Sequence, residues 1–291
     1  MRRQIMERVM DQNVIKLFDT YTHGGMKRRE FLEKLKLMVG ATAAMPILAQ
    51  LENSYAYAET VKLDDPRLTV SDIEIAPGIK GHLAMPKDAK GKLGAVLVIH
   101  ENRGLNPHIK DITRRVALEG FVAFGADYLT PQGGTPTDED KARDMFANVK
   151  PDAIVSISKA ARAALAAHPA VNAKVGAIGF CWGGGAVNLE AVNDPDLKAG
   201  VAFYGMQPAP ADVAKISAPL MLHYAGLDDR INAGIKDYEA ALKDANKAYE
   251  LFVYDGVNHA FNNDTNAARY NKEAADLAWG RSMGFFKKYL A

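Results

Sequence analysis

The chain carries one cysteine, Cys181, in 291 residues, so no internal disulfide can form and cysteine usage says nothing about redox compartment. Neither charge sign is in excess: 36 Lys+Arg face 35 Asp+Glu, which excludes the broad positive field of a nucleic-acid-binding protein. No apolar run reaches the roughly 20 residues that a membrane-spanning helix needs. There is no H-E-x-x-H pair and no paired-cysteine spacing, so no metal site is expected. No glycine-rich phosphate loop follows the first strand of the α/β pattern, so no nucleotide cofactor is expected either. Internal repeats and low-complexity tracts are also missing. What remains is 48% apolar residues in a chain long enough to bury one sizeable core.

Apolar runs predict eight strands, at 70–76, 80–85, 93–100, 121–127, 175–180, 200–204, 220–224 and 251–254. From residue 93 onward most alternate with helical patterns, the signature of a mostly parallel sheet covered by helices on both faces. At 152–167, Ile154, Ile157, Ala161 and Leu165 share one helical face and Pro169 stops the helix. Later helices are expected at 235–248 and 267–290, the last turning Tyr270, Leu277, Met283 and Phe286 inward.

Cys181 sits in Gly179-Phe180-Cys181-Trp182-Gly183-Gly184, directly after a buried strand. This is the pattern of a nucleophile elbow with cysteine in place of serine: small residues flank a strained turn where neighbouring segments approach closely. The positive end of the following helix favours thiolate over thiol. In such elbows an acid and then a histidine follow in chain order. Gly226-Leu227-Asp228-Asp229 and Asn258-His259-Ala260-Phe261 both follow strands, at the sheet edge where open α/β folds bind ligands. Asp229 adjoins Asp228 and offers the same chemistry; the two-residue offset after Gly226 favours Asp228. The acid fixes the imidazole tautomer, and His259 protonates the leaving alkoxide and later activates water. Of the seven histidines, His23 lies in the N-terminal 58 residues, His82 in an early strand and His108 and His168 in polar connections. His223 reads as a satisfied core residue and His100 ends a strand. Only His259 has the post-strand loop, the preceding turn glycine and the right order.

With these motifs, together with His100-Glu101-Asn102-Arg103-Gly104 and Ala126-Asp127-Tyr128, the chain from about Val70 onward resembles the dienelactone hydrolase (carboxymethylenebutenolidase) family of α/β-hydrolases. The resemblance implies an α/β-hydrolase fold and an ester or lactone hydrolase working through a thioester on Cys181, with Asp228 and His259 as partners. It further implies that Glu101 contacts the resting cysteine, and that the backbone N–H groups of Trp182 and Asn102 form the oxyanion hole. Arg103, Tyr128 and Phe261 stand as candidate substrate contacts. The arginines that hold a substrate carboxylate in the family have no counterpart after Tyr128 or after His259; Arg103 or Arg230 are the replacements in sight. Two other readings stay open: a carboxylesterase for another small or polymer-derived ester, and a non-catalytic family member that binds a ligand.

Residues 1–58 read differently. Lys27-Arg28-Arg29-Glu30-Phe31-Leu32 looks like a twin-arginine export signal, 37–51 is moderately apolar, and Ala56-Tyr57-Ala58 offers small residues for cleavage. On this reading the export machinery is a partner and a chain starting at Glu59 is periplasmic. Alternatively the segment is an uncleaved helical extension of a cytoplasmic protein, with Val9, Val14, Leu17 and Phe18, then Phe31, Leu35 and Met38, packing on a neighbour.

Overall fold

The computed structural model describes residues 10–291, the side chains of Ala56 and Tyr57 apart. Val9 therefore lies outside the described residues, as do two side chains of the cleavage motif. The chain opens with helices α1 (Gln12–Thr22), α2 (Arg28–Val39), α3 (Ala41–Leu51) and the short α4 (Tyr55–Ala58). Then follow β1 (Leu68–Ala76), β2 (Ile79–Pro86), β3 (Leu93–Ile99), α5 (Pro107–Leu118), β4 (Val122–Ala126), α6 (Glu139–Phe146), α7 (Pro151–Ala167) and β5 (Val171–Phe180). The remainder is α8 (Trp182–Asn193), β6 (Ala199–Phe203), β7 (Leu220–Ala225), α9 (Asp229–Asn232), α10 (Ile235–Asp244), β8 (Tyr249–Tyr254) and α11 (Lys272–Leu290).

The eight strands form one sheet in the order β1-β2-β4-β3-β5-β6-β7-β8. Its first two pairings are antiparallel and the rest parallel. This is the α/β-hydrolase architecture expected from the strand–helix alternation. Because helices cover both faces, β3, β4, β6 and β7 are buried almost throughout, and this is why they read as continuous apolar runs. One core lies on each face of the sheet. All parallel strands end at the same edge, and the loops there carry residues 100–106, 181, 226–228 and 255–263.

Three local readings need correction. Leu277 faces solvent at 48% exposure, because the buried stripe of α11 runs through Ala274, Ala278, Ser282 and Phe286 and leaves position 277 off its face. Met38 is likewise exposed, while Phe31 and Leu35 are fully buried. His108 is not in a connection: it is buried in the first turn of α5. Helices α1, α2 and α3 share their own small core of Val14, Phe18, Tyr21, Phe31, Leu35, Ala44, Leu48 and Leu51. The Tyr21 and Phe31 rings stack 4.7 Å apart at its centre. This unit sits over the active edge of the sheet. Asn102 Nδ2 donates to Thr22 O at 2.8 Å, Tyr21 OH to Asp140 at 2.6 Å, and Ser54 N to Thr265 O at 2.8 Å.

Candidate active site

Cys181 joins β5 to α8 with φ 56° and ψ −115°, a left-handed backbone that a side chain occupies only when its surroundings impose it. Its N–H donates to Phe203 O at 3.0 Å. The flanking glycines make the turn possible. A Cβ on Gly179 would run into the Gly183 carbonyl, and one on Gly183 into the carbonyls of Ile99 and His100. The sulfur is thereby held at the N-terminus of α8, where unpaired N–H groups and the helix dipole favour negative charge.

Past the end of β7, Asp228 caps α9 through Oδ1, while its Oδ2 accepts the Nδ1–H of His259 at 2.5 Å. Both residues are buried. Asp229 points the other way: its carboxylate is 81% exposed and pairs with Lys16 at 3.0 Å. Because Nδ1 of His259 faces a carboxylate, it carries a proton, and Nε2, buried and without a hydrogen-bond partner, is turned to the site.

The sulfur has a second imidazole, and it comes from the N-terminal 58 residues. His23, at the C-terminus of α1, lies with Nε2 3.3 Å from Cys181 Sγ, and its ring stands edge-on to that of His259. Its Nδ1 is 2.8 Å from Asp19 O and 3.3 Å from the Asp19 carboxylate. Burial pushes the Cys181 thiol up, but the charges of His259 and His23 and the His23 hydrogen bond outweigh it and bring it down to about 6. Burial lowers the imidazole of His259, yet the thiolate and Asp228 raise it to about 10. His23 is raised in the same way, by Cys181 and Asp19 against its own burial. Among the described residues, His23, Cys181 and His259 are also the group whose donor atoms, within 4.8 Å of one another, could hold a metal ion. Such an ion would occupy the sulfur and both imidazoles.

Glu101 is buried, and its Oε2 accepts from Asn263 Nδ2 at 2.9 Å; the hydrogen bond to the sulfur comes from His23, not from Glu101. Trp182 opens α8, so its N–H has no acceptor within the helix. Asn102 lines the cleft beside it while its side chain holds Thr22. The three candidate substrate contacts divide. Arg103 lines the cleft but is tied to Asp140 at 3.1 Å. Tyr128 is fully buried, its OH 2.7 Å from Ser158 Oγ and its ring edge-on to Trp182, so it braces the site from behind. Phe261 is fully buried against Tyr204 and Tyr254 and supports the His259 loop. Neither ring reaches the cleft, because each follows a strand end by only a few residues and turns back into the core. Residue type alone gave no sign of that.

Two cavities meet at Cys181, with His23 between them. One, of about 500 Å³, is lined by Phe146, Ile154, Trp182, Leu189, Met206 and Ile231 among others, and is mainly apolar. The other, of about 310 Å³, is charged. Its three arginines, Arg28, Arg103 and Arg269, are outnumbered by Glu52, Glu101, Asp138, Glu139 and Asp140. Each arginine already faces a carboxylate: Arg28 faces Asp140 and Glu52 at 3.0 Å, Arg103 Asp140, and Arg269 Asp19 at 3.8 Å.

The sequence model of the dienelactone hydrolase family matches residues 79–290, and a model described as YqhI-like matches residues 3–39. A protein of Escherichia coli O157:H7 named "Putative carboxymethylenebutenolidase" is 34% identical over 221 residues, covering 71% of this chain and 81% of its own length. A protein of the same name from Methylorubrum extorquens is 32% identical over 267 residues, 86% of this chain and 88% of its own. Among solved structures, one described as a "Putative Dienelactone Hydrolase" of Klebsiella pneumoniae superposes with a TM-score of 0.70 at 28% identity, covering 76% of this chain and 99% of that one.

Proposed function

This chain belongs to the dienelactone hydrolase family and is a hydrolase of that type; within that frame, we propose that Cys181 is its nucleophile, acting through a thioester on neutral esters or lactones. The observation that carries this reading is the strained elbow at Cys181 with Asp228-held His259 beside it. The thiolate adds to the ester carbonyl, the C–O bond breaks, and His259 gives its Nε2 proton to the departing alkoxide. Neutral His259 then takes a proton from water, hydroxide adds to the thioester, and the C–S bond breaks to release the acid. The N–H groups of Trp182 and Asn102 are the donors offered to the oxyanion, each worth about 3 kcal/mol when well aimed.

The cavities support an uncharged substrate. A carboxylate needs a free guanidinium fork, and each arginine of the charged cavity already faces an acid. The apolar cavity suits an uncharged acyl or lactone ring. We therefore place neutral lactones and esters ahead of dienelactone itself. The test is turnover of a neutral aryl ester, an alkyl lactone and dienelactone by the full chain, with Cys181→Ala alongside and mass spectrometry of enzyme quenched during turnover. Neutral substrates should be faster, the variant should lose at least about 10³-fold, and an acyl adduct should map to Cys181. Equal rates for wild type and variant would sink the nucleophile; faster dienelactone turnover would sink the substrate class.

For residues 1–58 we propose the helical extension, supported by the His23–Cys181 contact and by the burial of Phe31 and Leu35. The export reading, with a periplasmic product, rests on Lys27-Arg28-Arg29. N-terminal sequencing of the protein from periplasmic and cytoplasmic fractions separates them: a periplasmic chain starting near Glu59 would favour export.

A further inference from the structure

Nε2 of His23 touches the one atom on which the proposed reaction turns, and the rest of the ring is held as a catalytic imidazole is held. Nδ1 faces the backbone carbonyl of Asp19 and the Asp19 carboxylate, both of which only accept, so Nδ1 carries a proton. Nε2 is then the atom that shares a proton with the sulfur. Asp19 is half-buried, with Arg269 at 3.8 Å and Arg230 at 3.9 Å. Its partial burial pushes the carboxyl up, but the His23 hydrogen bond, the charges of His259 and His23 and then Arg269 hold it well below the usual carboxylate range. Beyond Asp19, the titratable groups facing the ring are Cys181 and His259, with Asp228 behind His259. The sulfur is thus flanked by two units of the same design, Asp228–His259 and Asp19–His23. Only the first comes from the strand-end loops. The second arrives from α1, and its position depends on the Asn102–Thr22 and Tyr21–Asp140 hydrogen bonds.

We propose that His23 is a catalytic residue of this hydrolase, supplied by the N-terminal helical unit: as an imidazolium it holds the Cys181 thiolate in the resting enzyme and receives it again as leaving group. The inference rests on the cysteine mechanism above and divides its labour. His259 keeps Nε2 free to pass a proton to the alkoxide and to take one from water, while His23 keeps its proton and stabilises charge on sulfur. In acylation the thiolate becomes a neutral thioester and the His259 proton leaves with the alcohol. In deacylation His259 takes a proton from water, and the C–S bond breaks to return thiolate to His23. The new acid carries the remaining proton, and water plus ester becomes acid plus alcohol. A thiolate held this way needs no contact with Glu101, in keeping with the Glu101–Asn263 hydrogen bond.

The test uses the chain's single cysteine, so that every alkylation event reports Cys181. Iodoacetamide rates, with thiolate absorbance as a second readout, are measured against pH for the full-length wild type, His23→Ala, His23→Gln and His259→Ala. Glutamine keeps bulk and a hydrogen bond but cannot carry the charge. The wild-type midpoint is expected near 6. Both His23 variants should move it upward by about one unit, lowering the rate at pH 6 up to about tenfold. Melting curves certify the fold, and Gln serves if Ala loosens the helix. A midpoint unchanged in the folded Gln variant overturns the proposal. So does a variant that reacts faster at every pH without a shift, since His23 would then be only a plug. Ester and lactone turnover is followed in parallel. A wild type that turns over neither while the midpoint still shifts would refute the hydrolase mechanism and leave His23 as the thiolate's partner.

Discussion

At the scale of single residues, the two adjacent aspartates show how little chemistry alone decides. Asp228 and Asp229 are the same group on neighbouring positions of one loop, yet the first is buried on His259 and the second reaches into solvent toward Lys16. Replacing Asp228 by asparagine removes the acceptor that fixes the His259 tautomer, and kcat/KM should fall about 10²–10⁴-fold, whereas Asp229→Asn should stay within about twofold. Steady-state kinetics on the substrate preferred by the wild type decide this, and equal losses in the two variants would move the acid's role. The order nucleophile, acid, histidine was legible because an elbow imposes it on the chain. Tyr128 and Phe261 were not legible as core residues, because an aromatic just past a strand end looks the same whether it turns to the cleft or away from it.

Among the elements, α8 carries the largest internal tension. Its N-terminal glycines let it pack against the β3 and β6 backbones, so its far side is buried as well, and Glu190 there is fully enclosed with both carboxylate oxygens unpaired. Burial pushes its carboxyl up to about 8, with Asp194 adding to the shift and Arg162 opposing it. A carboxyl raised in the folded state binds its proton more tightly than in the unfolded chain. Its penalty is therefore absent below about pH 4.5 and grows as pH rises toward 8. Glu190→Gln should accordingly raise Tm at pH 8 and do little at pH 4.5. Melting curves across that range check it, and a variant that loses stability equally at both ends would show that the carboxylate has a partner. The eight strands were readable from apolar runs, since two covered faces demand them. The phase of α11 was not: Leu277 fits a helical face, but which face meets the sheet depends on how the helix is laid down.

For the whole molecule, the question is why an N-terminal segment with its own core matters to a site built at the other end of the chain. The stacked Tyr21 and Phe31 fix where α1 ends, and so where His23 stands. Phe31→Ala opens that core and should cost about 3–5 kcal/mol locally. It should make 10–58 sensitive to protease while the sheet stays folded, and should lower turnover as much as His23→Ala does. Unchanged turnover in a chain cleaved within α2 would separate the helices from catalysis. What the sequence by itself determined is local or ordered along the chain: the strand periodicity, the glycine-flanked turn at Cys181, and the succession of acid and histidine after it. What only tertiary structure decided is who meets across distance. His23 reaches a sulfur 158 residues away, the arginines of the cleft find acids before any substrate does, and the half-buried Asp19 becomes a counter-ion. These pairings arise from packing between segments far apart in sequence and leave no spacing in the chain to read.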